Sequence, residues 1–442
     1  MTAPRPQATE VPRGDPLPLL ELRCGSIATG GGCVARAPDG RVVFVRHALP
    51  GERVLARVTA ATSSFLRADA TEILEPSADR VVPPCGYSGP GGCGGCDWQH
   101  VAPAAQRRLK AELIAEHLRR IAGVDRSVEV EEVPGSPGGL GWRTRVRFAV
   151  DRKGNVGLRR HRSHELALVE RCLVATPAVE ELGVEGLRWP GAVEVEAFAI
   201  GPDEPRGEDA RASSALVVLV PGRSGIRRRD VPRLPAGSGL VAEDEVLEGP
   251  GSLTSVVLSR AFRITAGAFW QVHRGAPSVL GRAVVSGLEP AVGERALDLF
   301  AGVGLFSVLI GAAVGPLGAV HAVERDRRAS ADLRQNSRDL PQVTVRTAPV
   351  TADLLERLGS HDLVVLDPPR EGAGRALMSS LAAMRPAPRR VAYVSCDAAT
   401  FARDLAVLFG AGWTMPTLRA FDLFPMTEHV ELLAILQPPD IG

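Results

Sequence analysis

The spacing of apolar positions changes character near residue 263. Before that point short apolar runs alternate with turns. In "GRVVFVRHALPGERVLARVTAAT" the runs Val42–Val45 and Val54–Val58 read as strands, with Leu49, Pro50 and Gly51 turning between them. Several short strands at this spacing over roughly 20–76 predict a small barrel. "APAAQRRLKAELIAEHLRRIAG" reads as a helix, because Leu109, Leu113, Ile114 and Leu118 recur at helical spacing and Gly123 closes it. From 142 to about 262 the pattern is strand-like again, broken by a polar loop at 201–212 that carries Pro202, Pro205 and Gly207. Beyond 263, helical stretches alternate with the apolar runs of "ERALDLFAG", "GAVHAVERD", "HDLVVLDPPR" and "RRVAYVSC". That alternation predicts a mostly parallel sheet covered by helices. The expected organisation is a leader at 1–18, a barrel at 19–76, a β-rich central domain at 77–262 and an α/β domain at 263–442.

Composition narrows the class. The chain has 442 residues, 45% of them hydrophobic and 23% charged, with a formal net charge of +1. That is too long for one core of ordinary size and typical of a globular protein. Residues 1–18 carry five prolines and no continuous apolar core, so they read as a disordered leader and not a secretory signal. No apolar run approaches the roughly 20 residues a membrane helix needs. We expect a cytoplasmic monomer with no membrane partner. A near-zero charge means that any surface for nucleic acid must be local.

Candidate chemistry gathers at the ends of the predicted parallel strands, where ligands collect in such sheets. "ALDLFAGVGLFS" is a strand, a glycine turn and a helix start, and Gly302 and Gly304 let the backbone approach a ligand. "VHAVERD" ends a second strand at Glu324, placed to meet a ribose hydroxyl pair. The loop is not G-x-G-x-x-G and no P-loop lysine follows, so S-adenosylmethionine fits better than a dinucleotide or a nucleoside triphosphate. "VVLDPPREG" ends a third strand at Asp367, stiffened by Pro368 and Pro369. Arg370 stands where methylation of an exocyclic amine would call for an aromatic residue. "RRVAYVSCDAAT" ends a fourth strand at Cys396.

"DPPREG", "VAYVSCDAAT" and "FDLFPMTEHVE" (421–431), in this order, resemble the uracil-C5 RNA methyltransferase family. With the N-terminal segments, the likeness covers nearly the whole chain after residue 20. It implies a Rossmann-like S-adenosylmethionine-dependent domain, with Cys396 as nucleophile and Glu431 as base. Glu428 and His429 are weaker candidates for the base. It also implies cofactor contacts by Gln271 of "AFWQV", Phe300, Glu324 and Asp367. A thiol suits this chemistry, because carbon 5 of uracil is a weak nucleophile until sulfur adds to carbon 6. The chain departs from the family at Asp397, usually asparagine, and at Met426, usually polar. An ionised Asp397 near Cys396 would raise the thiol pKa. Other readings are a non-catalytic RNA-binding protein and a methyltransferase of another substrate.

Seven cysteines, an odd number, do not make a disulfide framework. Cys85, Cys93 and Cys96 are spaced C-x7-C-x2-C in a glycine-rich loop, and Cys172 supplies a fourth thiol. Four thiolates fit either zinc or a [4Fe–4S] cluster. The resemblance favours the cluster, in a structural or RNA-holding role. Cys24 and Cys33 read as barrel core. Residues 20–76, through "CGSIATGGGCVAR" and "ALPGERVLARV", resemble the RNA-binding TRAM domain. Between Gly141 and Arg162 stand Arg143, Arg145, Arg147, Arg152, Lys153, Arg159, Arg160 and Arg162, against one acid, Asp151. Alternation puts Arg143, Arg145 and Arg147 on one strand face, a row suited to RNA phosphates. Trp98 and Phe269 are candidates to stack on a base. The substrate is ribosomal or transfer RNA.

Overall fold

The computed structural model describes residues 18–201, 214–223 and 225–439. Most of the predicted leader at 1–18 and of the polar loop at 201–212 lies outside them. The chain divides into two compact units. One comprises the described residues up to Leu113, with Leu158–Ala167 and Pro425–Glu428. The other comprises Ile114–Gly157, Leu168–Phe424 and the described residues from His429 onward.

The first unit holds strands β1 (Leu19–Arg23), β2 (Cys33–Arg36), β3 (Val42–Arg46), β4 (Arg53–Ala61) and β5 (Phe65–Glu75). They form one sheet in the order β1-β4-β5-β3-β2. Alternation builds the core: Val43 and Val45, Val54, Ala56 and Val58, and Leu66, Ala68 and Ala70 all point inward and are buried. Each buried valine or leucine contributes about 1.5–3 kcal/mol relative to exposure. Cys24 and Cys33 belong to this core, as expected. So does Trp98, 1% exposed, whose indole N–H donates to Gly31 O at 2.9 Å. It is therefore a core residue, and no base can stack on it.

Helix α1 (Pro103–His117) runs on through a wider turn over Leu118–Ala122, and Gly123 ends it in the left-handed conformation at φ 69°. Strands β6 (Val130–Glu132), β7 (Arg145–Val150), β8 (Val156–Arg159), β9 (Leu166–Ala167), β10 (Ala192–Ile200), β11 (Ser214–Pro221), β12 (Gly239–Ala242) and β13 (Glu245–Glu248) follow, with the short helix α2 (Pro177–Glu180) between β9 and β10. All of these strands except β6 form a seven-stranded sheet ordered β13-β12-β11-β10-β7-β8-β9. A hairpin, β14 (Ser252–Val257) and β15 (Arg260–Thr265), leads to the last part of the chain.

There, helix α3 (Ala276–Leu288) precedes alternating strands and helices: β16 (Arg295–Leu299), α4 (Leu305–Val314), β17 (Ala319–Glu324), α5 (Arg327–Asn336), β18 (Val343–Thr347), α6 (Ala352–Leu358), β19 (Leu363–Leu366), α7 (Arg375–Ala383), β20 (Arg390–Ser395) and α8 (Ala398–Gly410). Two final strands, β21 (Thr414–Asp422) and β22 (Glu431–Gln437), close the chain. The sheet order is β18-β17-β16-β19-β20-β22-β21-β6. The first five strands are parallel, and β22 enters antiparallel between β20 and β21. Both faces are covered, which is why β19 and the inner part of β20 are continuously apolar and buried. This is the predicted doubly wound α/β architecture. The recruitment of β6 from residue 130 into its edge was not predicted.

Candidate active site

Register sets the site. Leu299 pairs with Val323 and with Leu366, and Leu366 pairs with Tyr393. Phe300, Glu324, Asp367 and Cys396 therefore all lie at the carboxyl ends of neighbouring parallel strands. Ser395 pairs with Leu432, which sets Glu431, the first residue of β22, across from Cys396.

The loop after β16 is held by backbone that few side chains tolerate. Phe300, Gly302 and Gly304 all have positive φ, at 66°, 55° and 98°. A Cβ at Gly304 would lie 2.1 Å from Leu333 Cδ1, so a larger residue there has to displace that side chain. Glu324 closes the loop: its Oε2 accepts from Gly302 N at 2.8 Å and its Oε1 from Asp326 N at 2.7 Å. Behind it, Asp298 is fully buried. Its Oδ2 accepts from Ser307 Oγ at 2.5 Å, while Oδ1 is buried without a partner. Burial pushes Asp298 up to about 7, with Glu324 adding to the rise. Burial, and then the charge of Asp298, push Asp367 up to about 7 as well. Asp298 was missed in the sequence, where its place in an apolar strand gave no signal.

Cys396 is half-buried. Burial pushes its thiol up to about 12. Glu431, Asp367 and Asp397 add to the rise, and Arg370 opposes it. Glu431 is buried and held well above the usual carboxylate range, by burial and then by Asp367, with Arg370 again opposing. The fold thus brings Cys396, Glu431, Asp367 and Arg370 within electrostatic reach of one another. Asp397 contributes least of the three acids, and its Oδ1 caps α8 by accepting from Thr400 N at 2.8 Å. At neutral pH this thiol is protonated, and thiolate appears as pH rises toward 12. Alkylation of Cys396 by iodoacetamide, followed on its peptide by mass spectrometry, should therefore quicken about tenfold per pH unit from 7 to 10. A rate that levels off below pH 8 would contradict this. Arg370→Gln, which removes the opposing cation, should slow alkylation further at every pH.

The loop carrying Arg370 is tied to α8. Thr400 Oγ1 donates to Arg370 O at 3.1 Å, and Arg403 Nη2 donates to Glu371 O at 2.7 Å. The buried Asp404 accepts from Ala373 N and from Tyr393 Oη, both at 2.7 Å. The network is assembled from separate parts of the chain, and no sequence motif announced it. Gln271 lies buried in the connection between β15 and α3. Phe269, two residues earlier, is 61% exposed.

Two expectations change. The row Arg143, Arg145, Arg147 is not a free phosphate track. Glu196 of β10, paired across from Arg147, lies 2.9 Å from Arg147 and 3.4 Å from Arg145, and Glu194 lies 3.0 Å from Arg147. Arg145 is packed over the Phe198 ring at 4.0 Å. The partner strand thus neutralises Arg145 and Arg147, two members of the local excess. Met426, the apolar departure, is buried at φ 66°. Its N–H donates to Gln106 Oε1 at 2.8 Å and its O accepts from Trp98 N at 3.0 Å, so it is a packing element.

In the first unit, Cys85, Cys93 and Cys96 are half-buried, and Cys93 Sγ accepts from Gly95 N at 3.4 Å. Cys172 belongs to the second unit. Among the described residues, no group of three or more His, Cys, Asp or Glu side chains is drawn together as a metal site.

Residues 26–71 match the TRAM domain model. A Streptomyces avermitilis protein named an uncharacterized RNA methyltransferase is 46% identical, over 96% of this chain and 99% of its own. A 23S rRNA (uracil(1939)-C(5))-methyltransferase of Halomonas elongata is 35% identical, over 95% of this chain and 90% of its own. The crystal structure of the Pyrococcus abyssi tRNA (uracil-54, C5)-methyltransferase with S-adenosyl-L-homocysteine shares the fold, at 21% identity and TM-score 0.69, covering 94% of this chain and 100% of that one. With its TRAM domain, its strand-end carboxylates and these relatives, the chain belongs to the RNA uracil-C5 methyltransferase family.

Proposed function

We propose that the protein methylates carbon 5 of a uridine in RNA through a covalent adduct between Cys396 and carbon 6 of the ring. The observation that carries this reading is the grouping of a thiol, two raised carboxyls and one opposing arginine at the carboxyl ends of the parallel strands. S-adenosylmethionine, when bound, supplies an electrophilic methyl group on its sulfonium. The residues present fit it: a Cβ at Gly302 would meet nothing within 4 Å, so that turn has room for a ligand, and Asp298 Oδ1 is buried and unpaired. Glu324, Asp367, Gln271 and Phe300 would hold it.

In the chemistry we propose, the Cys396 thiol gives up its proton to solvent, its Sγ bonds to carbon 6, and the ring electrons move to carbon 5, which takes the methyl group. Glu431 then removes the proton from carbon 5, and elimination of the Cys396 thiolate restores the double bond. Arg370 stabilises the thiolate as it forms. The target uridine is flipped from its stack to reach the sulfur. Ribosomal RNA is the favoured substrate, on the support of the relatives named for it. Mass mapping of 5-methyluridine in total RNA, from cells with and without the gene, tests this. One ribosomal position should lose its methyl group, and an unchanged map would reject the reading.

Cys85, Cys93, Cys96 and Cys172 are proposed ligands of a structural [4Fe–4S] cluster, with zinc the alternative. Their thiol chemistry and the N–H···S bond at Cys93 support it. Protein purified without oxygen should carry about four irons and about four sulfides and absorb broadly at about 400 nm, as clusters of this type do. Stoichiometric zinc without sulfide would decide for the alternative. We retain 19–76, 77–262 and 263–442 as the functional division, in a cytoplasmic monomer.

A further inference from the structure

On β3 and β5 of the barrel two arginines stand in contrasting company. These strands pair in parallel, Phe44 opposite Arg67 and Arg46 opposite Asp69. Arg46 is neutralised: Asp97 lies 2.8 Å and Asp69 3.7 Å from its guanidinium. Arg67, two positions earlier on the same face as Asp69, has no carboxylate. Its guanidinium carbon sits 5.8 Å from the centre of the Phe44 ring and 5.4 Å from that of Phe65. Its Nε is buried with no hydrogen-bond partner. Burial, and then the charge of another cation, the exposed Arg162, make Arg67 harder to keep protonated. The two rings meet edge to face, with centroids 5.7 Å apart, and neither is fully buried.

A fold gains nothing in stability from holding two like charges together without an acid. Cations beside accessible aromatic rings form the chemistry of a single-stranded nucleic-acid site. The rings and the guanidinium plane stack on a base, and the charges take the adjoining phosphate. We propose that Phe44, Phe65, Arg67 and Arg162 form a subsite for one unpaired nucleotide of the RNA substrate, separate from the catalytic thiol. This rests on the RNA-methylating function proposed above.

The test measures binding of a uridine-containing single-stranded oligonucleotide and of inorganic polyphosphate of equal charge, by the full-length protein and three variants. Phe44→Leu keeps the apolar volume and loses the stacking face. It should weaken the oligonucleotide about tenfold and leave polyphosphate unchanged. Arg67→Gln should weaken both ligands. Arg162→Gln, at an exposed position that cannot unfold the barrel, should lower the slope of log K against log salt by about 0.7. Wild-type affinity and salt slope in Phe44→Leu and Arg162→Gln, from a protein that still methylates RNA, would overturn the subsite and leave the proposed function standing. Equal weakening of both ligands by Phe44→Leu would also overturn it, because the site would then read charge alone. A wild-type protein that neither binds nor methylates RNA would overturn both.

Discussion

Replacing Cys396 with alanine is expected to reduce methyl transfer by about 10⁴-fold or more, to background, while S-adenosylmethionine binds within about twofold of wild type. The two effects separate because the side chain ends a different strand from the cofactor candidates. Phe300 and Glu324 follow β16 and end β17, whereas Cys396 follows β20. Alanine keeps the backbone of the α8 cap and removes the sulfur, leaving Asp397 Oδ1 to accept from Thr400 N. The cavity left by one sulfur atom in a half-buried site costs little stability. Calorimetric titration of the cofactor and single-turnover methylation of RNA check the two halves. Residual turnover near wild type would remove Cys396 from the reaction. Loss of cofactor binding as well would assign it a structural role instead.

Replacing Glu431 with glutamine is expected to have the next largest effect, a loss of about 10²–10⁴-fold in turnover with accumulation of a covalent protein–RNA species. Glutamine matches the carboxyl in shape and cannot accept the carbon 5 proton. The reaction therefore proceeds through addition and methylation and stops before elimination. Burial holds Glu431 well above the ordinary carboxylate range, so once ionised it is a stronger proton acceptor than a carboxylate in water. Cys396 is raised partly by Glu431, so the pair disfavours carrying two negative charges at once. The thiol therefore loses its proton to solvent while Glu431 is protonated; once the sulfur is bonded to carbon its charge is gone, Glu431 loses its proton to solvent, and the carboxylate so formed takes the carbon 5 proton. A denaturing gel should show labelled RNA retained with the protein. Turnover lost without a retained band would mean that Glu431 acts before addition, as the group that takes the thiol proton.

What the sequence disclosed depended on range. The barrel strands around Val43 and Val54 and the apolar runs ending at Asp367 and Cys396 were legible, because strand periodicity and burial are written in consecutive residues. The juxtaposition of strand ends followed from the alternation of strands and helices, since a parallel sheet aligns its carboxyl ends. The rest was set by partners distant in the chain. Arg147 looked like a phosphate ligand until β10 placed Glu194 and Glu196 beside it, residues almost fifty positions away. Trp98 looked available for stacking until its indole met Gly31 O. Met426 looked like a lost polar contact until Gln106, 320 residues earlier, accounted for it. Asp298 was hidden because an acid inside an apolar strand leaves no pattern. Its unpaired oxygen became visible only in the folded chain.

The proposal that sulfur adds to the ring is tested most directly with RNA carrying 5-fluorouridine. Fluorine at carbon 5 cannot leave as a cation, so an adduct that has taken the methyl group has no proton for Glu431 to remove. The account predicts a denaturant-stable protein–RNA complex that requires S-adenosylmethionine, maps by peptide mass spectrometry to Cys396, and is absent in Cys396→Ala. Its absence in wild-type protein that methylates ordinary RNA, or a crosslink on any other residue, would contradict the account.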